Sequence, residues 1–269
     1  MKRNTVYYKN TSLDYFTSGN GKPVLLMHGF AEDHSIWKNQ IEHLSKSYFV
    51  IAPDLFGTGS SSFLEEKEIQ IEDYAKGIKQ ILMAENITRF SMFGHSMGGY
   101  ITLAYFELFP EDLISFGLVH STAYADDTHK KEMRNKAIQF IQKNGSPSFL
   151  KTSIPALFYN PEKCQQEIKS LVNIGKKISS ASLIQYYEAM KNRQDKTALI
   201  HNTKTPVLFI AGNQDQAIPL AHTLQQCHLP EMSVINILKN TGHMGMFENS
   251  ESVNHILSFF LTNLSEITV

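Results

Sequence analysis

The 269-residue sequence predicts an α/β fold, with a mostly parallel sheet, helices on both of its faces and one helical insertion. Short apolar runs of strand length recur along the chain, and segments with apolar residues at helical spacing separate them. Strands that are joined through helices run parallel and are covered on both faces. The alternation therefore favours a single large sheet with a buried centre.

The first half of the chain holds most of the predicted elements. TVYYKN (5–10) and LDYFTSG (13–19) are aromatic-rich runs on either side of a polar turn, which indicates a hairpin. Buried strands are expected in KPVLLMHGF (22–30), YFVIAPDL (48–55), RFSMFG (89–94) and LISFGLVH (113–120). Helical spacing predicts helices in SIWKNQIEHL (35–44), IEDYAKGIKQIL (71–82) and MGGYITLAYFELF (97–109), the last of which Pro110 ends.

The second half contains a region of different character before the alternation resumes. Residues 121–196 contain no convincing buried strand, and three prolines interrupt them. Helices are predicted at 128–145, near 162–178 and at 180–192, the first with Met133, Ala137, Phe140 and Ile141 facing inward. The strands PVLFIAG (206–212) and MSVINIL (232–238), the helix PLAHTLQQC (219–227) and a final amphipathic helix follow. We expect a core of residues 1–120 and 197–269, with residues 121–196 either covering it as a cap, or lid, or simply extending it.

Charge and cysteine content exclude several classes of protein. The 25 basic and 26 acidic residues leave a net charge of −1, without the basic excess that binding to nucleic acid or an anionic membrane needs. Cys164 and Cys227 have no metal-binding spacing, and no run approaches the ~18 apolar residues of a membrane helix. The N-terminus lacks the apolar segment of a secretory signal. We expect a cytoplasmic protein with no metal, cofactor, nucleic-acid partner or membrane span, and its oligomeric state stays open.

Ser96 is the candidate nucleophile. It lies in GHSMG (94–98), a G-x-S-x-G motif between a predicted strand and a predicted helix. A serine on such a sharp turn needs small residues two positions away on either side, and Gly94 and Gly98 supply them. The turn places the Met97 N–H at a helix N-terminus, where it can donate to a developing oxyanion. The alternative is a glycine-rich packing turn without chemistry.

A serine nucleophile needs a base and an acid that orients the base. His243 is the best base because it follows the last predicted strand in NTGHMGMFEN (240–249), where flanking glycines predict a mobile, open loop. Asp215, in the polar loop after PVLFIAG, completes the order Ser–Asp–His, although an aspartate there could also serve only as a helix cap. Asp126 and Asp127, which follow the preceding strand, are the alternative acids.

The loop after the strand KPVLLM should supply the second oxyanion donor. The Phe30 N–H is expected in this role, and His28 is expected to be a structural hydrogen-bonding group of the loop. Asp54, in the next loop along the chain, is expected to be a carboxylate that stabilises that loop. Aromatic and apolar residues of the 121–196 region are candidate pocket walls, with Phe158, Tyr159 and Tyr186 selected as substrate-binding and Phe140, Phe149, Leu157, Tyr187 and Met190 as further candidates.

Five motifs, in this order, resemble those of the α/β-hydrolase superfamily: HGF (28–30), APDLFGTGSS (52–61), GHSMGG (94–99), GNQDQAIP (212–219) and GHMGMFE (242–248). The resemblance covers nearly the whole chain and implies an α/β-hydrolase fold, a Ser–Asp–His triad and a helical cap at 121–196. Haloalkane dehalogenases and epoxide hydrolases of this fold have aspartate at the nucleophile position, where this sequence has Ser96. Carbon–carbon bond hydrolases usually have asparagine before the serine and tryptophan after the histidine, where this sequence has His95 and Met244. The G-G-S-W-G motif typical of proline iminopeptidases is absent.

The resemblance therefore implies a carboxylesterase-like serine hydrolase. The segment RQDKTALI (193–200) before TPVLFIAG is similar to the corresponding segment of carboxylesterase and enol-lactonase relatives. The expected partner is a small-molecule ester of a small to medium apolar acid. Three alternatives stay open, namely an acyltransferase or perhydrolase, an enol-lactonase-type hydrolase, and a small-molecule receptor on the same fold.

Overall fold

The computed structural model describes residues 1–66 and 68–264. Within these residues eight strands form one sheet: β1 (Lys2–Tyr8), β2 (Thr11–Ser18), β3 (Lys22–Met27), β4 (Tyr48–Pro53), β5 (Phe90–His95), β6 (Leu113–Val119), β7 (Val207–Gly212) and β8 (Ser233–Leu238). Every predicted strand is present, and the predicted hairpin is β1 and β2.

Eleven α-helices lie in the described part of the chain. They are α1 (Lys38–Leu44), α2 (Ile71–Ala84), α3 (Met97–Leu108), α4 (Thr128–Asn144), α5 (Ser146–Ser153), α6 (Gln165–Gly175), α7 (Ser180–Asn192), α8 (Thr197–Ile200), α9 (Leu220–Gln226), α10 (Gly245–Glu248) and α11 (Ser250–Thr262). None of the helices in these ranges is long and apolar enough to cross a bilayer. Helix α5 was not predicted, because Pro147 suggested a break. Proline is in fact tolerated in the first turn of a helix, which is where Pro147 lies.

The strand order is β1-β2-β4-β3-β5-β6-β7-β8. β2 pairs antiparallel with β1 and β4, whereas all neighbouring strands from β4 to β8 run parallel. β3 lies between β4 and β5 in the sheet. The chain therefore adds β4 on one side of β3 and then crosses over to add β5 on the other side. In an open parallel sheet such a reversal opens a crevice at the carboxyl ends of the strands, where ligands bind.

The core is built on the central strands. Every residue of β5 and β7 is buried, so both faces of these strands are covered. The covering helices pack as pairs, α2 with α3 and α1 with α11. The edge strand β8 alternates between exposed and half-buried residues along most of its length, which is typical of a strand covered on one face.

Helices α4 to α7 fill the segment between β6 and β7, and we call residues 121–196 the helical insertion. The inward face predicted for α4 is wrong in part. Ile138 and Ile141 are buried, whereas Met133 and Phe140 are 56% and 42% exposed. Met133 and Phe140, together with Ala137, line a cavity instead of a packed core. Apolar spacing on a helix marks an apolar face, and both a core and a cavity wall require one.

Candidate active site

Ser96 occupies the sharp turn between β5 and α3. Its backbone has φ 51° and ψ −115°, in a region that non-glycine residues rarely adopt. Three hydrogen bonds hold this conformation: the Ser96 N–H donates to the Val119 carbonyl at 3.0 Å, and the Ser96 carbonyl accepts from Gly99 N–H at 2.9 Å and from the Ser121 hydroxyl at 2.7 Å. The surrounding structure therefore holds a strained residue at the carboxyl edge of the sheet.

The glycines of the motif are required by close packing at this turn. A Cβ atom on Gly94 would lie 2.2 Å from the Gly98 carbonyl oxygen. A Cβ atom on Gly98 would lie 2.5 Å from the Met27 carbonyl oxygen, at the end of β3. These distances are far below contact, so side chains at either position would displace backbone. The steric reason inferred for the motif therefore holds in the folded chain.

Asp215 and His243 meet at the same edge of the sheet. The Nδ1 of His243 donates to Oδ2 of Asp215 at 2.8 Å, and both side chains are buried. Oδ1 of Asp215 accepts the N–H groups of Ala217 and Ile218, each at 2.9 Å. Burial alone would raise the pKa of Asp215, but the His243 and His120 imidazoles outweigh it and hold this pKa well below its usual range. Asp215 is therefore an ionised acceptor that orients the His243 ring.

His120 is a neighbour of this pair that the sequence reasoning missed. It follows β6 directly, and its Nδ1 donates to the same Oδ2 of Asp215 at 3.2 Å. Burial lowers the pKa of His120 to about 4, so the imidazole is neutral near pH 7. Its position at the carboxyl end of a central strand, on the edge that carries Ser96, is the signal that could have identified it.

His120, Asp215 and His243 each place a potential metal-ligand atom within 4.8 Å of the others. Both imidazole Nδ1 atoms hydrogen-bond to one carboxylate oxygen, which can only accept. Each Nδ1 therefore carries a proton and has no lone pair for a metal. The hydrogen-bonded arrangement accounts for this cluster without an ion.

His95, beside the predicted nucleophile, is part of a second buried network. Its Nδ1 lies 3.0 Å from Oε2 of Glu32, and its Nε2 donates to the His243 carbonyl at 3.0 Å. The same Glu32 oxygen accepts the Gly29 N–H at 2.6 Å. Burial opposes a charged imidazole, but the Glu32 carboxylate outweighs it and raises the pKa of His95. The network thus links the loop after β3 to the loop of His243 across the nucleophile turn.

The loop of His243 is held in place, so the predicted mobile, open loop is wrong. The His243 N–H donates to the Leu157 carbonyl at 2.7 Å, and Glu248 accepts the N–H groups of Gly242 and Tyr159 at 2.9 and 2.8 Å. A Cβ atom on Gly242 would lie 2.7 Å from the Leu157 carbonyl oxygen. Glycine is needed here for close contact with the helical insertion and not for mobility.

The loop after β3 is shaped by side chains in the way expected. His28 is fully buried, donates from Nδ1 to the Gly29 carbonyl at 2.8 Å and accepts the Leu55 N–H at Nε2 at 2.9 Å. Asp54 accepts the N–H groups of His34 and Ser60 at 2.9 and 2.8 Å. Phe30, one of the two predicted oxyanion donors, lines the cavity beside Ser96. The other, Met97, is the first residue of α3, where backbone N–H groups are free to donate.

One cavity of about 820 Å³ joins these groups. Ser96 and His243 lie on its wall at the sheet edge, and helices α4, α5 and α7 of the helical insertion form the opposite wall. Most of the wall is apolar. Its side chains include Phe30, Ala137, Phe149, Leu157, Tyr187 and Met190.

The three residues selected as substrate-binding do not line this cavity, so that selection is wrong. Tyr186 is fully buried, and its hydroxyl donates to the Phe56 carbonyl at 2.6 Å. Phe158 is buried against Phe247, with ring centroids 6.5 Å apart, and Tyr159 is 47% exposed. The five further candidates, Phe140, Phe149, Leu157, Tyr187 and Met190, do line it. Successive residues of a helix point about 100° apart, so whether Tyr186 or Tyr187 faces the cavity depends on how α7 packs.

The alternative acids lie elsewhere. Asp126 is fully buried and is hydrogen-bonded by the guanidinium groups of Arg134 and Arg193. Asp127 is the N-cap of α4, where its side chain accepts the Lys130 N–H at 2.7 Å. Among the described residues neither one hydrogen-bonds to His243. Asp215 is thus the carboxylate that the fold brings to this imidazole.

Comparison with known proteins identifies the family. The family model for the alpha/beta hydrolase fold matches residues 22–250. The chain belongs to this family. It is 27% identical over 253 residues to Lipase 1 of Psychrobacter immobilis, covering 87% of the chain and 75% of the relative. It is 25% identical over 262 residues to an Acinetobacter baylyi (E)-2-((N-methylformamido)methylene)succinate hydrolase, covering 94% and 95%.

Solved structures show the same fold of the alpha/beta hydrolase family. A thermophilic esterase from Thermogutta terrifontis superposes with a TM-score of 0.87 at 23% identity, covering 98% of this chain and 99% of the esterase. The enol-lactonase from Burkholderia xenovorans LB400 has a TM-score of 0.87 at 19% identity, covering 96% and 100%. The predicted α/β-hydrolase fold is therefore confirmed.

Proposed function

We propose that the protein is a carboxylesterase-like serine hydrolase that cleaves esters through an acyl-enzyme. One observation carries the proposal: Ser96 and His243 line the same cavity, and Asp215 holds the Nδ1 of His243 at 2.8 Å. A strained serine and an imidazole on one wall, with an ionised carboxylate buried behind the imidazole, constitute the groups that nucleophilic acyl transfer needs. The names of the relatives, a lipase and a hydrolase of a carboxylic acid derivative, support the same class of chemistry.

In the proposed reaction Ser96 Oγ attacks the ester carbonyl while Nε2 of His243 takes its proton. The new C–O bond moves an electron pair to the carbonyl oxygen, and the N–H groups of Phe30 and Met97 stabilise that oxyanion. The tetrahedral intermediate collapses, His243 returns the proton to the alcohol, and the alcohol leaves. Asp215 stabilises the imidazolium formed in between.

Water then attacks the acyl-enzyme by the same route, with His243 as base, and releases the acid and Ser96. The mostly apolar cavity wall supports small to medium apolar acyl groups as one substrate class. In the proposal the helical insertion acts as a cap on a core of residues 1–120 and 197–269. The unpaired thiols of Cys164 and Cys227 support a reducing, cytoplasmic location.

The decisive experiment is active-site labelling combined with ester turnover. A fluorophosphonate probe should label the wild type and not Ser96→Ala, and Ser96→Ala should lose about 10⁴-fold or more in kcat on aryl esters. Ser170→Ala, an exposed serine on α6, is the matched control and should behave like the wild type. Equal labelling of wild type and Ser96→Ala would refute the assignment of the nucleophile.

Two related activities use the same groups with another acceptor or substrate. Partition of the acyl group between water, alcohols and peroxide would reveal an acyltransferase or perhydrolase. Turnover of lactones would reveal the enol-lactonase type, which structural similarity to an enol-lactonase supports only at the level of the fold. Tight ligand binding with ester turnover at background would instead favour a small-molecule receptor.

A further inference from the structure

Two arginines share one carboxylate beside the cavity. Arg134 binds Asp126 through Nε and, at 3.2 Å, through Nη2, while Nη1 of Arg193 donates to the same carboxylate at 2.8 Å. The side chains of Asp126, Arg193 and Arg134 are 0%, 5% and 14% exposed. Two guanidinium groups against one carboxylate leave one positive charge without a counter-charge in a nearly buried cluster.

The two guanidinium groups differ in what else they bind. Arg193 has partners on both terminal nitrogens, since it also donates to the Met190 and Tyr124 carbonyls at 2.7 and 2.8 Å, and it stacks on the Tyr100 ring at 3.8 Å. Arg134 lines the cavity, and its Nη1 has no acceptor among the described residues. The uncompensated charge therefore belongs to Arg134 and faces the cavity.

Two tyrosines line the same cavity as Arg134, namely Tyr187 on α7 and Tyr100 on α3. Tyr100 and Tyr187 line the cavity, and neither hydroxyl hydrogen-bonds to another group in residues 1–66 and 68–264. The Arg134 guanidinium lies 5.6 Å from the centre of the Tyr187 ring. Burial raises the pKa of Tyr187 to about 12, so this hydroxyl keeps its proton and is available as a donor. A cation and two uncharged donors around one space form a receptor for an anion.

Other charged groups on the cavity wall do not neutralise this site. Glu32 is already paired with His95. Asp127, His129 and Lys130 line the outer part, where Asp127 caps α4 and the Lys130 Nζ donates to the Ala217 carbonyl at 3.0 Å. His222 also lines the wall, but an imidazole is either neutral or cationic, so it cannot supply a counter-charge to Arg134. Leaving a buried charge unpaired is costly, which favours a ligand that supplies a carboxylate.

We propose that Arg134, with the hydroxyls of Tyr100 and Tyr187, binds a carboxylate at the far end of the acyl group, so that half-esters of short dicarboxylic acids are preferred substrates. The inference rests on the proposed ester hydrolysis at Ser96. Tyr100 lies four residues after Ser96, one helical turn along α3, which separates the two Cα atoms by about 6 Å. A linker of a few carbons between the ester and the carboxylate suits that spacing.

The test compares two methyl esters that differ in the charge of one end. They are the methyl half-ester of glutaric acid and the methyl ester of glutaric monoamide. For wild type we expect kcat/KM for the acidic ester to exceed that for the amide by about tenfold or more, since charge-assisted hydrogen bonds hold only the carboxylate. The ratio should fall towards one in Arg134→Gln and by a smaller factor in Tyr187→Phe.

The ratio separates binding from folding, because misfolding or damage to Ser96 lowers kcat/KM for both esters together. Lys136→Gln removes a charge from an exposed position on the same helix and should leave the ratio at its wild-type value. Arg134→Lys keeps the charge but loses the planar fork, so its ratio should lie between those of wild type and Arg134→Gln.

Two results would overturn the inference: equal kcat/KM for the two esters in wild type, or an acidic preference that survives Arg134→Gln. Both leave ester hydrolysis intact. Failure of the proposed function would look different, with no turnover of either ester and no labelling of Ser96, and it would remove the inference as well.

Discussion

The two walls of the cavity are built on different principles. The wall at the sheet edge carries Ser96 and His243, and buried groups behind it hold them in place: Ser121 donates to the Ser96 carbonyl, Asp215 accepts from Nδ1 of His243, and His95 donates to the His243 carbonyl. The wall formed by the helical insertion is mostly apolar, and among its polar groups Arg134 carries a charge that Asp126 does not balance. In the proposed reaction the first wall makes and breaks bonds, and the second selects the substrate.

The comparison predicts how each wall responds to change. Hydrogen-bonded buried groups depend on one another, so a substitution on the sheet wall should reduce turnover of every ester. Substitution on the helical wall should instead change which ester is turned over. Variants on the two walls therefore test whether this division is real.

The largest effect is expected at Asp215. In Asp215→Asn the side chain keeps its size, but the His243 ring loses the acceptor that holds its tautomer, so kcat should fall about 10⁴-fold. Steady-state kinetics on an aryl ester measures the loss, and the melting temperature checks the fold.

His120→Leu is the matched variant, because it removes the other hydrogen bond to Oδ2 of Asp215. We expect a decrease in kcat of about tenfold, the value of a single hydrogen bond. If kcat fell equally in Asp215→Asn and His120→Leu, the result would contradict the assignment of His243, rather than His120, as the base.

His95→Gln should affect stability more than chemistry. It removes the imidazole that pairs with the buried Glu32 carboxylate and leaves that carboxylate, among the described residues, only the Gly29 N–H, which costs about 3 kcal/mol of unfolding free energy. The pKa of His95 is raised above 6.5, so its stabilising contribution is complete below that pH and is lost as pH rises through the raised value.

Urea unfolding across a pH series measures this effect. The free energy of unfolding of the wild type should decline on the alkaline side, and that decline should be smaller in His95→Gln. The same substitution at the exposed His201 is the control and should keep the wild-type decline. An unchanged alkaline decline in His95→Gln would show that another group causes it.

The smallest effect on overall rate is expected on the helical wall. Ala137→Leu adds volume to the cavity lining, so kcat/KM for esters of long acids should fall several-fold relative to esters of short acids. Gln139→Leu places the same side chain on an exposed face of α4 and should leave the acyl preference unchanged. A uniform loss for all acyl lengths in Ala137→Leu would argue against separate roles for the two walls.

The sheet wall was largely predictable because its groups lie at the ends of strands. Ser96, Asp215 and His243 each follow a buried apolar run, and parallel strands bring their carboxyl ends to one edge. Their catalytic roles stay predictions that the Ser96 and Asp215 variants test. His95 and Glu32 were missed as partners because no spacing rule connects residues that meet only across strands, whereas His120 follows the end of β6 and could have been identified by that position.

The helical wall was predicted poorly for a related reason. Five aromatic and apolar candidates line the cavity, while Phe158, Tyr159 and Tyr186 do not. Their side chains differ little in hydrophobicity, so composition cannot distinguish a cavity wall from a packed core. The predicted mobility of the His243 loop was wrong for the same reason. One sequence feature fits two structures, because Gly242 permits either a flexible loop or a close contact.

The sequence by itself determined the alternation of strands and helices, the glycine-flanked serine turn and the family, because these depend on local periodicity and local steric limits. Tertiary structure decided which side chains of the helical insertion reach the cavity. It also decided that Asp215 is shared between two imidazoles and that Arg134 is left with a charge that Asp126 does not balance. These features depend on distances between residues far apart in the chain, and such distances exist only after the helices have packed.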